Sequence, residues 1–168
     1  MAAINTKQIE NRRHNRRLTV KIAVYLVLTL LVIGFIFGNS LKTREDSGKI
    51  STGIAEILKP FFDPHDSMTA DDFHSMIRKF AHGLEFAMLG LCCGGVMWCV
   101  AEMSKKYHVA ASVLIPLIIA VLDEFIQSFN GRGSDVRDVM IDFGGAVVGL
   151  AVISLIETLL SRKRKTKE

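Results

Sequence analysis

Four long apolar blocks constrain the fold of this chain more than any other feature. They lie at residues 18–37, 80–100, 109–129 and 139–160, and together they hold most of the hydrophobic residues, which make up 49% of the chain. A helix of about 20 apolar residues crosses a hydrocarbon core roughly 30 Å thick. The sequence therefore predicts an all-α membrane protein with a single domain at 18–160, a four-transmembrane-helix bundle.

Basic residues lie beside the ends of these blocks, in the tail at 1–17, in the tail at 161–168 and at Lys105 and Lys106. Loops rich in lysine and arginine stay on the cytoplasmic side of a membrane. We therefore expect both termini and the Lys105 loop to be cytoplasmic, and segments 38–79 and 130–138 to lie outside. The net charge of +4 belongs to this topology and does not indicate a nucleic-acid partner.

The first outer segment contains apolar residues at helical spacing, namely Ile50, Ile54, Ile57, Leu58 and Phe61. They predict a short amphipathic helix that ends at Pro60 and Pro64. Its apolar face either lies in the outer leaflet or packs on the protein itself. Thr69, with Asp72 three residues later, resembles a capping box, so the next helix is expected to begin near Thr69.

Small residues spaced four apart predict close helix contacts in two of the blocks. Gly90 and Gly94 have this spacing in the second block, and Gly145 and Gly149 have it in the fourth. The spacing places both glycines of a pair on one helix face, where the backbone of a neighbour can approach. The blocks are therefore expected to form a compact bundle.

Polar residues enter three of the blocks at a similar depth, near the predicted outer surface. They are Arg78, His82 and Glu85 in the second block, Asp123, Glu124 and Gln127 in the third, and Asp135, Asp138 and Asp142 in the fourth. Gln127 shares a helix face with either Asp123 or Glu124. Ionisable groups in a membrane are costly unless they are paired or hydrated, so we expect these groups to converge. They form either an ion-pair clamp with Arg78, Arg132 and Arg137, or a polar pocket open to the outer leaflet.

The same residues carry a resemblance to the VanZ-like family of small bacterial membrane proteins. The matching stretches are RKFAHGLEFAMLG, DEFIQSFNGRGSDVRD and VMIDFGGAVVG, and FGNSL resembles the polar end of the family's first helix. The matching positions are Lys79, His82, Glu85, Asp123, Glu124, Gln127, Arg132, Asp138, Gly145 and Gly149, with Arg78 as an alternative to Lys79 at the basic position. The resemblance implies a four-helix protein of the bacterial cell envelope, in a family named for teicoplanin resistance.

Two kinds of function fit these residues. In the first, the pocket binds a lipid headgroup, a lipid-linked cell-wall precursor or a lipoglycopeptide. Basic side chains would then contact phosphate, and acids would orient them. The ligand-binding residues would be Arg78, Lys79, Asp123, Gln127, Arg132, Asp135, Arg137 and Asp142. No metal or other cofactor is expected in this case.

In the second, the protein is an intramembrane hydrolase or transferase acting on a phosphate- or lipid-linked substrate. The catalytic residues would be His82, Glu85, Glu124 and Asp138, with His82 as the general base and Glu85 holding its tautomer. A divalent cation at the acidic cluster is a variant of this hypothesis. A proton or ion pathway is disfavoured, because the inner halves of the helices are apolar.

Overall fold

The computed structural model describes residues 2–42, 44–63, 65, 67–130 and 135–165, and all regular structure in these ranges is helical. The five helices are α1 (Ala2–Ser40), α2 (Arg44–Phe62), α3 (Ala70–Ser104), α4 (Val109–Phe129) and α5 (Val136–Lys165). By length and composition, α1, α3, α4 and α5 can each cross a membrane. The predicted four-transmembrane-helix bundle with a shorter helix after the first span is confirmed.

Three of the spanning helices are longer than the apolar blocks that revealed them. α1 continues back to Ala2 through the basic tail, α3 begins at Ala70, and α5 continues to Lys165. Arginine, lysine, glutamine and glutamate are good helix formers, so charge alone does not end a helix. The two basic tails predicted from the sequence are therefore largely helical and extend the first and last membrane-spanning helices.

Caps define both ends of α3. Thr69 is the N-cap, and its hydroxyl accepts a hydrogen bond from Asp72 N at 3.2 Å. At the other end Lys105 takes the left-handed conformation, with φ at 57°, and its N–H bonds to Ala101 O. The predicted start of this helix near Thr69 is confirmed, and the left-handed residue turns the chain towards α4.

Glycines bring α3 and α5 into the most extensive helix contact in the bundle. A Cβ added at Gly90 would lie 2.0 Å from Ala146 O, and one added at Gly145 would lie 2.1 Å from Gly83 O. A Cβ at Gly149 would lie 2.0 Å from Ala87 O. These backbones touch directly, so the glycine contacts predicted from the four-residue spacing are confirmed.

An apolar core separates two polar layers of the bundle. It consists of Ile36, Phe86, Leu89, Cys93, Ala120 and Ala146. On one side of it lie the ends of the helices that carry the predicted site. On the other side Lys21 Nζ lies 3.6 Å from the buried carboxylate of Glu157, an ion pair that the sequence did not indicate. The apolar layer between them argues against a continuous ion pathway.

The amphipathic helix α2 extends two residues beyond the position where a break was expected. Pro60 lies inside α2, which ends at Phe62. Pro60 has no backbone N–H to donate to the helix, yet the helix continues past it, so the expectation that Pro60 ends the helix was wrong. Pro64 and the Ile50 side chain lie outside the described residues.

The side of α2 that faces the bundle differs from the side that carries its large apolar residues. Ala55 is buried and α2 contacts α3, whereas Ile54, Ile57, Phe61 and Phe62 are exposed. The large apolar side chains therefore point away from the protein. This arrangement favours the alternative in which α2 presents an apolar face to lipid.

A turn centred on Asp63 connects α2 to α3. Its carboxylate accepts hydrogen bonds from Ser67 Oγ at 2.6 Å, Ser67 N at 2.8 Å and Met68 N at 2.9 Å. These bonds, that of the Ser67 hydroxyl foremost, hold the pKa of Asp63 below its usual value because they stabilise the ionised form. The turn gives the chain a defined path into α3.

Candidate functional site

Three buried carboxylates form the deepest part of the polar layer, which we call the acidic floor: Asp123 and Glu124 of α4 and Asp142 of α5. They are 0%, 5% and 2% exposed, respectively. One oxygen from each lies within 4.8 Å of an oxygen from the other two. The helices thus bring together three acids that would repel one another if all were ionised.

Hydrogen bonds from two helices hold Asp123 in the floor. Ser40 Oγ, at the end of α1, contacts Asp123 Oδ1. Gln127 Nε2 donates to Asp123 Oδ2 at 2.7 Å. Of the two pairings considered for Gln127, the structure has the one with Asp123, four residues earlier on the same helix.

Glu124 also points into the bundle although it is the next residue along α4. Its Oε2 accepts a hydrogen bond from Asp135 N at 3.2 Å, just before α5 begins. Neighbouring residues on a helix point about 100° apart. Asp123 therefore meets the end of α1 while Glu124 meets the start of α5.

A second group of polar residues is less buried than the floor, and we call it the rim: Lys79, His82 and Glu85 of α3 and Asp138 of α5. Their side chains are 37%, 15%, 15% and 30% exposed, respectively. Lys79 Nζ lies 3.0 Å from Asp138 Oδ1, and His82 Nδ1 lies 3.7 Å from Glu85 Oε2. Asn39 Nδ2 donates to Glu85 Oε1 at 2.9 Å. The rim thus joins α1, α3 and α5 around the floor.

Two of the three arginines in the ion-pair clamp, one of the two alternatives for these residues, do not take part in such a clamp in the described structure. Arg78 is half-buried and Arg137 is exposed, and neither forms an ion pair with another described residue. Of the two neighbouring basic residues on α3, Arg78 and Lys79, it is Lys79 that forms an ion pair, with Asp138. The third member, Arg132, lies outside the described residues.

Asp135 lies at the surface and caps α5. Its Oδ1 accepts a hydrogen bond from Arg137 N at 2.9 Å, and its backbone oxygen accepts from Asp138 N. The side chain is exposed. Its position gives it a structural role at the helix start, and its predicted role in binding a ligand stays a prediction.

Sequence reasoning missed three polar residues that hold the site together. Asn39 and Ser40 bond to Glu85 and Asp123, and Asn130 Nδ2 donates to Ser40 O at 3.2 Å. The polar end of the first apolar block, FGNSL, was the signal for the first two. Their partners lie 46 and 83 positions away, so no local pattern identifies the contacts.

Comparison with known protein families gives a match over the part of the chain that contains the site. A family model described as VanZ/LLP1 matches residues 25–157, well over half of the chain. The chain belongs to the VanZ/LLP1 family. The matched range contains every residue of the floor and the rim. Neither the curated proteins nor the solved structures gave a match.

Proposed function

We propose that this VanZ/LLP1 protein binds the headgroup of a lipid, or of a lipid-linked cell-wall precursor, at the outer face of the bacterial cytoplasmic membrane. The observation that carries the proposal is the arrangement of the polar layer. A partly exposed rim surrounds a buried acidic floor at one end of a bundle of membrane-spanning helices. Headgroups lie at the depth where such a site meets the lipid.

Basic side chains around the rim suit a phosphate. Lys79 is partly exposed, and Arg78 and Arg137 are not engaged by any described carboxylate. Arginine binds phosphate through two parallel hydrogen bonds, and lysine binds it as a point charge. Glu85 and Asp138 would accept hydrogen bonds from the sugar or peptide of a precursor.

We extend the proposal to resistance against teicoplanin-type lipoglycopeptides. An antibiotic that recognises a lipid-linked precursor and a protein that holds the same headgroup compete for one ligand. Occupancy of the rim by the precursor, or by the antibiotic itself, would lower the amount of antibiotic bound at its target. This part of the proposal depends on headgroup binding.

Replacing the rim lysine is expected to weaken headgroup binding. The full chain is placed in nanodiscs, and binding of a fluorescent lipid-linked cell-wall precursor is measured by anisotropy. Lys79→Met should raise the dissociation constant about tenfold, because it removes a charge-assisted contact of about 1.5 kcal/mol. Lys106→Gln is the matched control, because Lys106 is exposed just beyond the other end of α3. This variant should bind the precursor as tightly as the wild type does.

Equal affinity of the Lys79→Met and wild-type proteins would overturn headgroup binding at the rim. A phospholipid competitor separates the two ligand sources: displacement by phosphatidylglycerol indicates a general lipid headgroup, and retention indicates the precursor. Each sample is also analysed for cleavage of the precursor. If the wild type cleaves the precursor and His82→Gln does not, the result would favour a second candidate function, that of a hydrolase or transferase.

The second candidate is a hydrolase or transferase, and the His82–Glu85 pair favours it. The carboxylate of Glu85 lies on the Nδ1 side of the imidazole. The two atoms, Glu85 Oε2 and His82 Nδ1, are 3.7 Å apart, which is longer than a hydrogen bond. If the pair closed on binding of substrate, the carboxylate would set the tautomer in which Nε2 takes up a proton, as a general base requires. The substrate would be a phosphate- or lipid-linked molecule, with Glu124 and Asp138 as further catalytic residues.

The proposed orientation places the rim outside and both termini in the cytoplasm. In intact cells a membrane-impermeant maleimide should label His65→Cys, between α2 and α3, and should label Lys106→Cys only after permeabilisation. Both positions are exposed. The wild type supplies the background, because Cys92, Cys93 and Cys99 all lie within α3. The reverse labelling pattern would overturn the orientation.

A further inference from the structure

We propose that the acidic floor binds a hard divalent cation, with Asp123, Glu124 and Asp142 as ligands. This inference does not depend on the proposed headgroup ligand, because the floor lies below the rim and is built from different residues. Within the described ranges, the floor is the only group of three or more acidic, histidine or cysteine side chains whose donor atoms are close enough to share an ion.

Asp142 supplies an observation separate from the clustering of acids. It is 2% exposed, yet no described residue donates a hydrogen bond to its carboxylate or forms an ion pair with it. Among the described residues, the charged groups that act on it are the carboxylates of Glu85, Asp123, Glu124 and Asp138. An ionised carboxylate that is buried and directed at other acids is costly, and a cation between the three side chains would offset that cost.

The donor atoms and their spacing indicate the class of ion. All three ligands are carboxylate oxygens, which suit Mg²⁺, Ca²⁺ and Mn²⁺ rather than softer metals. Calcium–oxygen bonds of about 2.3 to 2.6 Å allow two ligands to lie up to about 5 Å apart. The floor oxygens lie within 4.8 Å of one another, so small movements of the side chains would bring all three to one calcium ion.

The floor also has the supporting contacts that cation sites require. Ser40 and Gln127 bond to the two oxygens of Asp123, and Asp135 N bonds to Glu124 Oε2. Such bonds fix the direction of a ligand before the metal arrives. The described structure thus contains both the ligands and the groups that orient them.

Mn²⁺ alone serves as the probe. The full chain is purified in dodecyl maltoside and freed of metal with a chelator. The loss of the free Mn²⁺ electron paramagnetic resonance signal on titration measures bound ion. The wild type should bind one Mn²⁺ per chain, and Ca²⁺ should displace it. Asp142→Asn and Glu124→Gln should each raise the dissociation constant at least tenfold.

Glu157→Gln is the matched control, because Glu157 is a buried acid at the opposite end of the bundle, beside Lys21. It should bind Mn²⁺ as tightly as the wild type does. Absence of saturable binding to the wild type would overturn the proposal, and so would equal affinity in both floor variants. Circular dichroism of each variant confirms that the helices are intact. Because no headgroup is present, failure here leaves the precursor-binding result unaffected.

Discussion

Gly145→Ala should lower the melting temperature of the detergent-solubilised protein by roughly 6 to 12 °C. The added methyl group would lie 2.1 Å from Gly83 O, a backbone atom that cannot rotate away. α3 and α5 would have to separate along their contact, and such overpacking typically costs about 1 to 3 kcal/mol, occasionally more. A loss of about 3 kcal/mol corresponds to this shift for a chain of this length. Thermal unfolding followed by circular dichroism measures it.

The neighbouring residue provides a matched control. Nothing lies within 4 Å of a Cβ added at Gly144, so Gly144→Ala meets open space on the same helix. Alanine is favoured over glycine in a helix by up to about 1 kcal/mol, so this variant should melt at or slightly above the wild-type temperature. If both variants melt alike, the close approach of α3 and α5 at Gly145 is wrong.

The contrast between Gly144 and Gly145 also shows which parts of the fold a sequence reveals. The Gly145–Gly149 spacing is a local property of one helix, and it correctly indicated a contact face. Apolar length likewise revealed the four spans. Pro60 shows the limit of such local rules, because α2 continues past this proline although it cannot donate a helical hydrogen bond.

The site was harder to predict in detail than the bundle. Helical spacing correctly indicated that Asp138 and Asp142 both point towards the polar layer. It could not decide between Arg78 and Lys79, since neighbouring side chains differ by about 100° and the outcome depends on how α3 is rotated against α5. The contact of Ser40 with Asp123 depends on where α1 ends relative to α4, which is a property of the assembled bundle.

Asp142→Asn should raise the melting temperature of the protein in a chelator and abolish its stabilisation by calcium. Two charges about 4.8 Å apart repel by roughly 3 kcal/mol at an effective dielectric constant of about 20. Asp142 lies within that distance of both Asp123 and Glu124. At a pH where all three acids are ionised, removing the charge of Asp142 relieves two repulsions and leaves no described donor without its partner. We expect a gain of roughly 4 to 10 °C without metal.

In saturating Ca²⁺ the wild type should melt at a higher temperature than Asp142→Asn, the reverse of the order expected in the chelator. An ion at 100 times its dissociation constant stabilises the wild type by about 2.7 kcal/mol, and the variant lacks the charge that holds it. Glu157→Gln should behave differently, because it removes an acid that has Lys21 beside it and should lower the melting temperature to the same extent with or without Ca²⁺. If Asp142→Asn instead melts below the wild type in the chelator, the floor carboxylates do not repel one another. A cation would then have no repulsion to relieve at this site.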